Sequence, residues 1–364
     1  MYAKRIREAI LLRHPDAEIR GYGDYGFDIG DLAVIGFVPV LKKLFYFLRV
    51  RRTILRAIDD WRPDVVCTID YPGMNLRIAA AAKSRGVRTV HVVCPQVWAW
   101  HQNRIPKIEA ALDRLCCFFP FEPKIFREGF AEFVGHPLLD EMSREKPAPV
   151  AKSAKVLAVL PGSRMGEIDR NLPTLLEVIA CLAARHGAGL KFIIPAASPA
   201  ARDRILSIMH SYRTKVVLLN VQPGAVIEGA VETRLGGARD VLRCADAAVV
   251  ASGTATLEAA IVNCPTVLVY RVGWLFAAIM RRLIKGVKHV GLANIIAEKA
   301  GAPCPMPELL QEDFTWDNVL KLLMPLLEDA EANARARRAL ADTMRLLQSD
   351  GAAIDKIARR VCDD

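Results

Sequence analysis

Residues 156–167, VLAVLPGSRMGE, read as a buried strand that passes through a Pro-Gly-Ser-Arg turn into a helix. About ninety residues later, AAVVASGTATLEAA (247–260) repeats the plan. An apolar strand ending in a small-residue turn at a helix start gathers unpaired backbone N–H groups and the positive helix end at one point, which suits a phosphate. Arg164 adds a planar fork that can hold an anionic oxygen through two hydrogen bonds. Two such turns in one half of the chain point to a sheet edge that binds a nucleotide diphosphate. A plain strand–helix turn is the competing reading of the Pro-Gly-Ser-Arg turn.

The elements around these turns alternate as in an α/β protein. A length of 364 residues accommodates roughly two domains, and 52% hydrophobic residues can fill two cores. Helices are expected at 3–13, after Pro39 to 58, at 75–86, around 103–112 and near 122–128. Strands are expected at 17–23, 62–73, 87–96, 114–119 and 131–134. The polar, proline-bearing segment 143–155 reads as a linker. Beyond it, strands are expected near 156–160, 190–194, 215–219, 247–251 and 265–270, and helices at 315–328 and 329–361, while 223–240 breaks the rhythm. The expected division is 1–145, 146–340, and a terminal stretch 341–364 that packs back on the first domain or on a partner subunit. Tandem open parallel sheets place a ligand in the cleft at the strand C-terminal ends.

The net charge of +10 calls for a partner. Nucleic acid is not favoured, because no aromatic-interleaved basic platform and no nucleic-acid motif occurs. A membrane surface fits better. Residues 34–58 combine Val38, Leu41, Leu44, Phe45, Phe47 and Leu48 with Lys42, Lys43, Arg49, Arg51, Arg52 and Arg56. Val40, Leu41, Leu44, Phe47 and Leu48 form one apolar stripe, with Phe45 off it. That pattern describes a basic amphipathic helix lying at an interface, or an ordinary helix packed on a sheet with solvated cations. No apolar run approaches the roughly 18 residues of a membrane span. Nine cysteines without a CxxC pair read as buried free thiols of a reducing compartment.

Specific motifs then carry a family resemblance. VCPQVWAWHQNRIPKI (93–108), FFPFEPKIF (118–126), FVGHPLLD (133–140), LPGSRMGEI (160–168), ASGTATLEAAIVNCPTVLVYR (251–271) and LANIIAEK (292–299) resemble, in order and spacing, the signature runs of lipid-A-disaccharide synthases. The resemblance covers roughly residues 30 to 345. It implies a GT-B glycosyltransferase: two Rossmann-like parallel-sheet domains facing a cleft, acceptor domain first and UDP-sugar domain second, with no metal or other cofactor. The implied reaction joins UDP-2,3-diacylglucosamine to 2,3-diacylglucosamine 1-phosphate (lipid X), with inversion and release of UDP. Both substrates carry acyl chains, so the expected setting is cytoplasmic, peripheral on the anionic inner face of the inner membrane. A homodimer is left open.

The resemblance also assigns roles. Asp70, in IDYPGMN at a strand end, matches the family's essential Asp and is expected as the base, with a helix cap near Asn75 as the competing reading. Arg164 is expected to help the departing diphosphate, with Gly162 and Ser163 on one side and Ser252, Gly253 and Thr254 on the other. Glu258 resembles the acid that binds the nucleotide ribose, and otherwise reads as a first-turn dipole partner; Asn294 resembles a polar residue of the nucleotide site. His136 in FVGHP reads as a structural hinge. Trp98 and Trp100 are expected to line the acceptor site or to pack in the core. Two departures stand out. The chain opens at MYAKRIREAI without the family's first strand and Gly-rich loop, and Gly73 and Met74 stand where the family commonly has Asp and Phe. The competing functions are another GT-B UDP-GlcNAc enzyme, such as the lipid II-forming transferase or a UDP-GlcNAc 2-epimerase, and an inactive membrane-associated binding protein.

Overall fold

The computed structural model describes residues 2–27, 44–145, 154–218, 231–273 and 288–363. It divides into two compact units, 1–140 with 347–364, and 141–346.

The first unit is built on four parallel strands in the order β1-β2-β3-β4: β1 (Val65–Ile69), β2 (Arg88–Val92), β3 (Arg114–Cys117) and β4 (Ala131–Phe133). Strand alternation sends Val65, Cys67 and Ile69, with Val90 and Val92, to one face, where helices Tyr2–Arg13 and Ala353–Cys362 pack through Ile6, Ile10, Ile354 and Ile357. Val66 points to the other face, covered by helices Leu44–Trp61 and Pro72–Lys83 through Val50, Ile58, Ile78 and Ala82. The terminal helix is tied in at both ends. Asp140 accepts from Ala353 N–H at 2.6 Å, and Arg88 donates to the carbonyls of Arg360 and Val361, the cation that a helix C-terminus favours. Gly135 of the FVGHP run has φ 90, and a Cβ there would stand 2.4 Å from Ser349 Oγ. Only glycine lets β4 approach the terminal segment so closely.

The second unit carries six parallel strands in the order β10-β9-β8-β5-β6-β7: β5 (Lys155–Leu160), β6 (Leu190–Ala196), β7 (Val231–Leu235), β8 (Ala247–Ala251), β9 (Thr266–Tyr270) and β10 (Glu308–Leu310). This is a doubly wound sheet whose chain order reverses between β5 and β8. Leu157 and Val159 of β5, Val249 of β8 and Val267 of β9 share one core with Leu172, Leu175, Leu176 and Ile179 of helix Met165–His186.

Several elements differ from the sequence expectations. Residues 17–21 form no strand and 22–23 fall in the 3-10 turn Tyr22–Tyr25; Ala17 and Ile19 pack against the sheet core, but among the described residues β1 pairs only with β2, which leaves the stretch no ladder partner there. The expected helix near 122–128 is a short 3-10 turn, Pro123–Ile125. The β-branched run at 215–218 ends helix Pro199–Leu218, and the sheet place beside β6 belongs to β7. Of the unassigned 223–240 stretch, 231–235 is that strand, 238 onward starts helix Ala238–Cys244, and 223–230 lie outside the described residues. The expected helix 329–361 is two, Ala330–Arg345 and Ala353–Cys362, parted around Gly351 at φ 85. The cysteines are free thiols, but Cys181 and Cys304 are exposed rather than buried.

Candidate active site

In the first unit, the carboxyl ends of β1 and β2 open on a cavity of about 260 Å³. Asp70, Val93, Trp98, Trp100, His101 and Glu122 are on its wall. Four non-glycine residues adopt left-handed backbone around it: Asp70 (φ 52), Tyr71 (φ 45), Val93 (φ 79) and His101 (φ 58). A β-branched residue such as Val93 is rarely found there, and such strain collects at sites where the fold must aim a group.

The Asp70 turn is held by a residue that sequence reading passed over. Asn75 is 4% exposed, and its amide donates to the carbonyls of Ile69 (3.0 Å) and Asp70 (2.7 Å) while accepting from the Tyr22 hydroxyl (2.8 Å). Asp70 N–H donates to Val92 O at 2.9 Å. The carboxylate is thereby aimed from a pinned backbone, on an exposed residue at the cavity rim. Capping is not its role, because the helix starts at Pro72 with Tyr71 as its N-cap and no side-chain capping bond. The only signal for Asn75 was its place in IDYPGMN.

Trp98 and Trp100 both reach the cavity in different ways. Trp98 is buried, meets Phe121 edge-on at 5.3 Å and donates Nε1–H to Glu122 at 3.1 Å. Trp100 is half exposed against the His101 ring. Glu122 also accepts from the Phe118 and Phe119 N–H groups, yet burial pushes its carboxyl up to about 8. His136 is buried beside Phe118 and Phe119, its Nδ1 accepting from Leu138 N–H at 3.2 Å; burial pulls it down to about 4, so a neutral imidazole braces the Pro137–Arg144 helix.

In the second unit, both phosphate-type turns follow strands at the reversal of strand order: Pro161–Arg164 after β5 and Ser252–Gly253 after β8. Their local chemistry differs. At the first, Glu167 accepts from the N–H groups of Ser163 (3.1 Å) and Arg164 (3.3 Å) and pairs with the Arg164 guanidinium at 3.0 Å. The backbone donors read as free are already used by the helix's own first turn. Gly162 (φ 121) is required there, since a Cβ would lie 2.6 Å from Glu167 Cβ. At the second turn no side chain caps helix Thr254–Ile261, and Gly253 and Thr254 are exposed. Ser252 N–H is spent on Val269 O at 3.1 Å, while the helix start beyond it carries no side-chain cap.

Glu258, on that helix, is bound by Arg239 Nε at 2.9 Å, and Arg239 also pairs with Glu141 and Glu145. A ribose hydroxyl at Glu258 would therefore meet a carboxylate already oriented by a guanidinium, a partner the motif did not reveal. Asn294 departs from expectation. It is fully buried; its amide donates to Met306 O and Glu308 at 2.7 Å each and accepts from Met306 N–H at 3.0 Å. With the amide so committed, Asn294 clamps the segment before β10 instead of facing a ligand.

On helix Leu44–Trp61, Val50 and Ile58 form the buried face, with Tyr46, Phe47, Ile54 and Leu55 packed beside them. Phe45 is 85% and Leu48 41% exposed, next to exposed Arg49, Arg51, Arg52 and Arg56. The sequence stripe had set Leu48 with Phe47; packing separates them, because the buried face follows Phe47, Val50 and Ile54. Val38, Leu41 and the Leu44 side chain lie outside the described residues.

A family model described as lipid-A-disaccharide synthetase matches residues 24–359. The lipid-A-disaccharide synthase of Neisseria meningitidis serogroup A is 36% identical over 374 aligned positions, covering 98% of this chain and 92% of the relative. That of Burkholderia mallei (strain NCTC 10229) is 38% identical over 321 positions, 85% of this chain and 76% of the relative. Among solved structures, UDP-GlcNAc 2-epimerase from Neisseria meningitidis bound to UDP-GlcNAc superposes with a TM-score of 0.57 at 12% identity, covering 100% of this chain and 98% of that one. An S. aureus MnaA–UDP co-structure gives 0.57 at 13%, covering 86% and 78%. At such identities the structures speak for the fold, the GT-B class of paired parallel-sheet units.

Proposed function

The chain belongs to the lipid-A-disaccharide synthetase family, and we propose on that footing that it transfers 2,3-diacylglucosamine from its UDP derivative to the 6-hydroxyl of lipid X. It is a glycosyltransferase. The observation that carries the reading is a family match from residue 24 to 359, with 36% identity across nearly the whole of a synthase.

In this reading Asp70 takes the proton of the acceptor 6-hydroxyl as that oxygen attacks the anomeric carbon of the donor. The bond from the anomeric carbon to the β-phosphate oxygen breaks on the opposite face, so configuration inverts and UDP leaves with the electron pair. The pinned turn at Asn75 supports this role, because a base must be aimed before it can act. Charge building on the diphosphate is met by the Ser252, Gly253 and Thr254 end of the uncapped helix, with Ser163 and Arg164 at the neighbouring turn. Arg164 must leave Glu167 for phosphate, or share it; its side chain is 67% exposed and has the freedom to do so. Glu258 receives the ribose, and Trp98 and Trp100 give the acceptor an apolar wall.

The acyl chains of both substrates call for access to a bilayer. No helix among the described residues is long and apolar enough to cross a membrane. The exposed Phe45 and Leu48 with their arginines support peripheral binding to anionic lipid at the inner face of the inner membrane.

The test is UDP release by the purified protein given UDP-2,3-diacylglucosamine and lipid X, beside Asp70→Ala. Turnover that needs both lipids and is lost in the variant is expected. UDP release with UDP-GlcNAc alone, or equal turnover by Asp70→Ala, would overturn the reaction or the base.

A further inference from the structure

Three side chains able to ligate a metal converge at one side of the first unit's cavity from separate segments of chain. Cys94 follows β2, Cys117 closes β3, and Glu122 lies in the turn beyond it. Their ligand atoms all lie within 4.8 Å of one another, and all three residues are buried. Cys94 and Glu122 are also on the cavity wall, so the cluster has a way in.

Glu122 is the informative member. A carboxylate withdrawn from water is costly unless something compensates its charge. Here it meets neutral donors: Phe119 N–H at 3.0 Å and Phe118 N–H at 3.1 Å on Oε2, and Trp98 Nε1–H at 3.1 Å on Oε1. These fix the carboxylate plane, and the Cys94 side chain adds a hydrogen bond to Glu122 that a bound ion would replace. Outer donors that orient a ligand in this way are the usual surroundings of a metal-bound carboxylate.

We propose that Cys94, Cys117 and Glu122 form a binding site for a thiophilic divalent cation of the zinc class, with its fourth coordination position open to the cavity. Two sulfurs and one carboxylate oxygen select zinc-like ions over magnesium or calcium, which take oxygen alone. Three protein ligands and one open position match a cation that retains water or meets a ligand in the cavity. On binding, both thiols and the Glu122 carboxyl lose their protons to solvent, each sulfur and one carboxylate oxygen forms one bond to the ion, and no electron is transferred. The ion would join the ends of β2 and β3 to the Glu122 turn, so its occupancy would stiffen part of the wall of the cavity that Asp70 also lines. The site stands independently of the reaction proposed above.

The test uses the full chain, stripped by chelator under reducing conditions and titrated with Co²⁺, then Zn²⁺. One equivalent of Co²⁺ is expected to give a sulfur-to-metal charge-transfer band that one equivalent of Zn²⁺ abolishes. Cys94→Ser and Cys117→Ser lose the band, whereas Cys181→Ser and Cys304→Ser keep it. Trp98→Phe, which removes an outer donor, weakens binding by roughly 10- to 100-fold. A band surviving in the Cys94→Ser/Cys117→Ser pair, or none in the unaltered chain at equimolar cobalt, overturns the proposal. X-ray absorption of the zinc-loaded, unaltered chain needs no variant. Two sulfurs at about 2.3 Å support the site, and a shell without sulfur refutes it.

Discussion

Replacing Asn75 tests whether the Asp70 turn is held as the structure indicates. The side chain makes three hydrogen bonds, two into the carbonyls of Ile69 and Asp70 and one from Tyr22, from a position 4% exposed. Each neutral bond contributes about 1 kcal/mol net, so Asn75→Ala should cost about 3 kcal/mol. The same bonds hold Asp70 and Tyr71 in left-handed backbone, at φ 52 and φ 45, a strain of about 1–3 kcal/mol per residue. Once released, the turn relaxes and moves the carboxylate, and a misplacement near 1 Å can lower turnover about 10²-fold. Asn75→Asp is the sharper variant. It is the same size, but sets a carboxylate oxygen against two carbonyl oxygens and should be at least as damaging as alanine. Tyr22→Phe removes one bond and should cost about 1 kcal/mol, with little change in kcat. The assay is urea unfolding beside kcat and KM for UDP release. The reasoning fails if Asn75→Asp keeps the unaltered chain's kcat, or if its unfolding midpoint does not move.

Three further outcomes are expected. His91 and His136 are buried, and burial holds each near 4 against an ordinary 6.5. The unfolded chain therefore takes up protons that the native histidines refuse: their contribution to stability is whole above about pH 6.5, falls as pH drops towards 4, and levels below, by about 3 kcal/mol per histidine, while Glu122, held up near 8, works with the opposite sign as pH rises from about 4.5. His91→Gln should flatten part of that slope in thermal unfolding measured between pH 7 and 4.5. Phe45→Ser with Leu48→Ser should weaken binding to vesicles containing anionic lipid, as should added salt, while leaving the unfolding midpoint nearly unchanged because both residues are exposed. Gly135→Ala should destabilise the first unit by at least about 1–3 kcal/mol, from a Cβ 2.4 Å from Ser349 Oγ and a φ of 90. Ser349→Gly should relieve the clash but not the backbone strain, so a rescue that is complete would contradict this account.

Local pattern was enough for much of this protein. Short continuous apolar runs marked the strands, and the turns after β5 and β8 were legible because strand, small-residue turn and helix start are neighbours in sequence. The motif resemblance reached the family because those runs keep their order and spacing along the chain. What involves distant residues had to wait for the fold. Residues 17–21 had strand composition but pair with no strand among the described residues, and 215–218 had it and continued a helix, because a strand exists only where a ladder partner stands. Glu167, to which the sequence assigned no role, holds its carboxylate on the turn's own donors. Asn294 carried a family role that burial and three internal bonds have taken up. Asn75 beneath Asp70, Arg239 beside Glu258, and the meeting of Cys117 with Cys94 and Glu122 of the cavity wall are products of packing. Sequence by itself determined which groups this chain has to work with, since propensity and hydrophobic period act over a few residues. Tertiary structure alone decided which of those groups are still free to act, because burial and hydrogen-bond partners depend on segments far apart in the chain.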